Sequence, residues 1–430
     1  MGMTEPGEHL LESEPAGHDP LPQRYLTDEP GVGGRIKQRP EDFLVDEQPL
    51  YDLEGAGEHL YLGVETTNVS HLELMSCLRR HFGVKEKAIG YAGMKDKVGV
   101  TRQMVSLHLP QDPPAVELPH ERIKVLWMDR HRHKLRRGHL RGNRFSIRIR
   151  EVDPLKAPFV HRILRKLEQT GVPTYFGSQR FGYRRNNHIV GLHLLRKDWN
   201  ALVDELLGTG GTPYPAYQQE RRAQFDAGEF ERALTQWTTA DRAERMILRA
   251  LCRGASQKEA CYATGRTTWS FWISAVQSAI FNRVLDERIA LGTLGTCLPG
   301  DRAWKHDRRR TFRVTDEELE SGELAERAAR FEISPSGPLW GRSMERAEGK
   351  IDELERAAAE QFGISPELLQ EGRDAPEGAR RPLRETIQDP EVDSGIDEHG
   401  GYIRVAFDLP RGIYATIVLR ELMKNDGADA

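Results

Sequence analysis

Strand-type alternation lies near both ends of this chain, and helix-type periodicity fills its middle. In Arg144–Arg150, Phe145, Ile147 and Ile149 share one face and mainly basic residues the other. In Tyr402–Leu409, Ile403, Val405 and Phe407 alternate with Arg404, Ala406 and Asp408. Such period-two runs belong to a sheet with one buried and one polar face. Phe43–Glu47, His59–Val64 and Thr101–Leu109 read as further strands. Ser70 is placed to cap a helix running to about His81, with Leu72, Met75 and Leu78 at helical spacing, and Pro154–Gln169 reads as an amphipathic helix. Glu231–Arg253 and Trp269–Ala290 carry the strongest helical periodicities, and Asp316–Arg330 reads as a solvated charged helix or loop. A turn at Pro410–Gly412 leads into a final helix from about Tyr414 to Lys424.

Strand-rich ends around a helix-rich middle predict an α+β fold: a mixed, mainly antiparallel sheet with flanking helices, interrupted by an inserted helix-rich α+β domain. The boundaries expected are a disordered tail over 1–21, a sheet domain in two parts over 22–170 and 377–430, and the insertion over 171–376. The tail is rich in Glu, Pro and Gly and poor in large apolar residues.

A net charge of −4 over 430 residues is not that of a uniformly basic nucleic-acid binder, so the distribution of charge decides. Between Arg130 and Arg144 there are seven Lys/Arg and no acid. Four widely spaced cysteines without a CxxC pair point to reduced thiols rather than zinc or a disulfide framework. The first 23 residues hold five acids and no Lys or Arg, which is not a secretory signal, and the longest mostly apolar stretch, about Phe271–Phe281, is too short to span a bilayer. The expectation is a cytoplasmic, monomeric, soluble protein. The motifs G-x-x-x-x-G-K-[ST], G-x-S-x-G and H-E-x-x-H are absent from the sequence.

Chemistry concentrates in a few segments. Gly90–Gln103 sets Asp96 between Lys95 and Lys97, behind a small-residue turn. Nearby cations keep a carboxylate ionised, and an ionised carboxylate can act as a nucleophile. In Arg130–Phe145, Gly138 and Gly142 permit close backbone approach, and the dense Lys/Arg set suits phosphate contacts. His131 and His133 lie in that cationic surround, which opposes a bound metal. Gly171–Gly182 packs glycines and aromatics around Gln179 and Arg180, as a hinge between domains would.

Five segments together resemble the TruD family of pseudouridine synthases. They are Lys37 with Pro40-Glu41-Asp42-Phe43, the Gly90–Gln103 turn, Lys134–Phe145 in the form KLxxGxLxGNxF, the P-x-Y-F-G-x-Q-R-F-G run from Pro173, and Leu409–Leu422. Thr174 stands where the family usually has Asn. The resemblance implies a pseudouridine-synthase-type sheet and isomerisation of uridine to pseudouridine in tRNA, at position 13, with no cofactor or metal. It implies Asp96 as the catalytic residue and Lys37 as its ionic partner. Phe43, Asn143, Phe145 and Tyr414 become substrate contacts, and Lys134, Arg136, Arg137, Arg141 and Arg180 RNA-backbone contacts. Attack at C6 of the uracil and attack at C1′ of the ribose both remain open. The competing readings are a non-catalytic RNA-binding or tRNA-chaperone protein on the same scaffold, and a different RNA-modifying enzyme such as a methyltransferase.

Overall fold

The computed structural model describes residues 19–113, 115–371 and 375–425. The chain divides into two compact units, one of 26–174 with 384–430 and the other of 1–25 with 175–383.

The first unit is built on an eight-stranded sheet. Its strands are β1 (Phe43–Pro49), β2 (His59–Thr67), β3 (Ile89–Tyr91), β4 (Val100–His108), β5 (Ile123–His131), β6 (Leu140–Arg150) and a C-terminal hairpin of Gln388–Asp397 and Gly400–Pro410. The hairpin adds to β6, and the order continues β6, β1, β4, β2, β5, with β3 on β4. Only the β1–β4 pair is parallel. β1 meets β4 at Val100–Arg102 and β3 meets it at Val105–Leu107, so both lie along one edge of β4. The Ala92–Gly99 loop must therefore return along that edge to the start of β4, past the start of β1. Gly99 makes the crossing possible: its φ is +119°, and a Cβ there would lie 2.5 Å from the Phe43 carbonyl oxygen.

Leu60, Leu62, Val64, Val105, Leu107 and Ile123 form one core with the helix His71–Phe82. Ser70 Oγ accepts from Glu73 N and caps that helix as expected, but its core face is Leu74, Met75 and Leu78, while Leu72 is exposed. The expected helix at Pro154–Gln169 is a short 3₁₀ turn followed by the α-helix Ala157–Thr170.

The second unit is helix-rich, with a four-stranded sheet in the order Ala379–Pro382, Ile333–Leu339, Arg302–Lys305, Arg310–Arg313. Its long helix Arg266–Ala290 is buried over much of its length. The run Glu231–Arg253 is two helices, Phe230–Gln236 and Arg242–Cys252. Thr238 donates through N and Oγ to Asp241 Oδ2, forming a turn that competes with the helix. Asp316–Arg330 likewise breaks into two short helices at Gly322, φ +75°.

The unit edges differ from the expected ones. Val172–Pro173 pairs with Arg384–Glu385 inside the first unit, holding side by side the two chain ends that bound the insertion. Of the expected tail, residues 1–18 lie outside the described residues. Residues 19–25 belong to the helix-rich unit, where Asn282 donates to the Pro20 carbonyl and Gln23 and Arg24 N–H groups donate to Asp286. Burial raises the Asp286 carboxyl above the usual carboxylate range.

Candidate active site

The segment before β1 is fixed from both ends. Arg35 exchanges two backbone hydrogen bonds with Arg150, 2.9 and 2.8 Å long. Asp42, fully buried in the 3₁₀ turn Pro40–Asp42, accepts from the Arg150 guanidinium at 2.7–3.1 Å. Arg150 also donates to Asp397, and these two carboxylates raise its pKa above the ordinary arginine value. Lys37 lies between these anchors in left-handed backbone, φ +57°, a conformation that a non-glycine residue holds only when its surroundings impose it.

From that position the Lys37 ammonium lies 4.9 Å from the centre of the Phe43 ring and 3.9 Å from Asp96 Oδ2. The Lys37 side chain is 14% exposed and that of Asp96 50%, so the carboxylate is paired yet open to solvent. Phe43, by contrast, is 2% exposed and packs edge-on to Phe145, which continues to Phe407. Both rings therefore lie in the core beneath the lysine.

Asn143 stands on β6 opposite Glu47 of β1 and Leu409 of the C-terminal hairpin. Gly142 before it allows the hairpin to pass, since a Cβ there would lie 2.2 Å from the Leu409 carbonyl oxygen. The Asn143 side chain meets Lys95, the residue next to Asp96: Lys95 Nζ donates to Asn143 Oδ1 at 2.6 Å. The same ammonium lies 2.7 Å from Glu47 Oε2, an ion-pair contact rather than an aligned hydrogen bond, with side chains 7% and 0% exposed. Glu47 Oε1 accepts from Met104 N at 3.2 Å.

Beyond Leu409 the chain turns, and Tyr414, an exposed residue, stands at the N-terminal end of the helix Ala415–Met423. The turn is joined to the basic loop, where Arg411 donates to the Gly138 carbonyl at 2.6 Å and its N–H to the Arg141 carbonyl at 3.3 Å. Gly138 N in turn donates to Ala92 O at 2.8 Å, joining the basic loop to the loop that carries Asp96.

Within the basic loop, Arg136, Arg137 and Arg141 are exposed. Arg137 lies over the Tyr91 ring and donates to its hydroxyl, while Lys134 donates to the Lys87 carbonyl at 2.6 Å. His71 packs edge-on against Tyr91, and burial, with help from the Arg137 charge, lowers its pKa below the ordinary histidine value. His131 stacks on Tyr51, and its Nδ1 accepts from the His133 N–H at 3.0 Å.

Thus Lys37, Asp96, Phe43, Phe145 and Asn143 converge in one unit, joined to the hairpin that leads to Tyr414 and to the arginines of the basic loop. Arg180 belongs to the helix-rich unit, where it lies over Phe176 and donates to Ser274 Oγ. Sequence reasoning missed the Lys95–Glu47 pair and the Asp42–Arg150 anchor. Each had a faint signal: Glu47 falls on the inward phase of Phe43 and Val45, and Asp42 is the acid of the Pro-Glu-Asp-Phe run.

The chain resembles a solved structure from Methanosarcina mazei described as a tRNA pseudouridine synthase D (TruD), with a TM-score of 0.82 and 26% identity over 96% of this chain and 98% of that one. The class of protein that fold and site define is the pseudouridine synthases. The family model described as tRNA pseudouridine synthase D (TruD) matches residues 22–422. The tRNA pseudouridine synthase D of Geobacter sulfurreducens is 42% identical over 413 residues, covering 95% of this chain and 98% of the relative. That of Thermus thermophilus is 35% identical, covering 95% and 94%. This chain belongs to the TruD family.

Proposed function

We propose that this chain isomerises uridine to pseudouridine in tRNA, at position 13, with Asp96 as the nucleophile. The observation that carries the reading is the Lys37–Asp96 pair: a half-exposed carboxylate, 3.9 Å from an ammonium that is itself held in strained backbone. A lysine at that distance supplies a counter-charge to Asp96 without sealing it from an incoming substrate.

The target base is stacked in the folded RNA and must leave its stack, at a cost of a few kcal/mol. Tyr414, exposed at the start of the last helix, offers a stacking face that returns roughly 1–3 kcal/mol. Phe43 is buried in the free chain and there supports Lys37 from the core side rather than offering a face to the base. Asn143 reads the base edge, while Arg136, Arg137 and Arg141 hold the phosphate backbone. Lys134 contributes positive charge to the same loop; Arg180, in the helix-rich unit, is by the family resemblance a further contact to the RNA backbone.

Asp96 then adds to the uridine, the N1–C1′ bond breaks, the base turns so that C5 joins C1′, and the bond to Asp96 breaks, returning its carboxylate. The C5 proton is released and N1 ends protonated, so the product is an isomer. No electron acceptor, group donor or metal enters that balance. The four cysteines are free, as in a reducing cytoplasm, and among the described residues no helix is long and apolar enough to cross a membrane.

The test is release of tritium from tRNA labelled at uridine C5, with no cofactor added, followed by mapping of the product. Release stoichiometric with pseudouridine at position 13 is expected. Binding without release would favour a tRNA-binding protein with no chemistry.

A further inference from the structure

Lysine has only donors, so the amide atom that meets Lys95 Nζ at 2.6 Å is the oxygen of Asn143, and the two N–H groups of Nδ2 point elsewhere. The lysine has little freedom to release that oxygen. Its side chain is 7% exposed and paired with Glu47, whose fully buried carboxylate is itself bound by the Met104 N–H. An unpaired charge at this depth is costly, which keeps the three side chains together.

We propose that Lys95 and Glu47 are positioning residues that hold the Asn143 amide in one orientation, so that the site presents an N–H donor and reads a carbonyl oxygen of the target base. An amide free to rotate could meet either a carbonyl or the ring N–H. With Oδ1 committed to Lys95, this one offers its free N–H donors, which suit a carbonyl, O2 or O4 of a uracil. The inference rests on the reading that places Asn143 at the base. It also gives neighbouring residues separate duties: Asp96 faces the substrate, and Lys95 acts only through Asn143.

Single-turnover rates on tRNA would be compared for the wild type, Asn143→Ala, the joint change Lys95→Met with Glu47→Leu, and all three changes together. The joint change removes both buried charges, so neither is left unpaired. Asn143→Ala and the joint change should each slow the reaction on the order of 10²-fold, as loss of reactant positioning does. The triple variant should be no slower than Asn143→Ala alone, since residues that act through one another do not add. Losses that multiply would overturn the inference, as would a fall of about one in the salt slope of binding for the joint variant, which marks a phosphate contact.

Should the joint variant fail to fold, Asn143→Asp keeps an acceptor for Lys95 and removes the donor. A rate as low as that of Asn143→Ala is expected, and a wild-type rate would overturn the proposal. Substrates carrying 2-thiouridine or 4-thiouridine at the target then identify the atom that is read. One of the two should slow the wild type while leaving the rate of Asn143→Ala unchanged by the sulfur; equal effects in both proteins contradict a donor at the carbonyl. Wild-type turnover by Asn143→Ala itself would instead mean that Asn143 does not meet the base, a failure of the underlying reading.

Discussion

Lys95 and Asp96 are adjacent in the chain yet belong to opposite kinds of ion pair. The strand ends beneath the loop hold Lys95 against Glu47 at 2.7 Å, with both side chains nearly closed to solvent. The outer side of the loop holds Asp96 against Lys37 at 3.9 Å, with half of the Asp96 side chain exposed. A buried pair is rigid because breaking it strands a charge in the interior, whereas an exposed pair contributes little to stability and exchanges partners easily. One region fixes geometry and the other remains available to a substrate.

The comparison breaks first at Glu47. Replacing it with alanine while Lys95 remains should cost about 3–5 kcal/mol of stability, read from urea unfolding, because the lysine loses its buried counter-charge. A midpoint equal to that of the wild type would mean that the inner pair is not structural.

Lys37→Met should do the reverse. Stability should change by no more than about 1 kcal/mol, as for an exposed pair, while turnover falls on the order of 10²-fold, as when one charge-stabilising group is lost. A destabilised but fully active variant would invert the comparison.

Replacing Arg136 and Arg137 by glutamine should leave the thermal midpoint in place and lower the salt slope of tRNA binding by about one phosphate-equivalent each. An unchanged slope would remove the basic loop from the interface.

The smallest effect concerns pH. Burial holds the His71 pKa below its ordinary value of 6.5, so as pH falls below that value the unfolded chain takes up a proton that the folded chain resists. Stability should therefore fall between pH 6.5 and the lowered folded-state value, and be insensitive to this group above pH 6.5. Across pH 5–8 the thermal midpoint of the wild type should fall relative to that of His71→Gln toward the acidic end; parallel curves would count against a lowered His71 pKa.

Asp96, Lys37 and Asn143 were legible because each lies in a segment that resembles a motif of the TruD family; their residue types alone would have read as a surface turn and a strand entry. The β1, β4, β6 and Gly400–Pro410 strands were legible because one face is apolar. What escaped depends on partners far along the chain. Glu47 and Lys95 lie 48 positions apart, and nothing local says that they meet. The edge strand Gln388–Asp397 escaped because its residues, QDPEVDSGID, carry no regular apolar alternation. The strand Ile333–Leu339 escaped because its two prolines speak against a ladder, although it is the second strand of a four-stranded sheet. The periodicity of Glu231–Arg253 concealed a break, since the Thr238–Asp241 turn interrupts it without disturbing the apolar spacing on either side.

The account turns on Asp96, and Asp96→Asn tests it with the least disturbance, because the side chain keeps its size and loses only its charge. Tritium release from C5-labelled tRNA should disappear in this variant while tRNA affinity remains within a few-fold of the wild type. Release at the wild-type rate would contradict the assignment of the nucleophile.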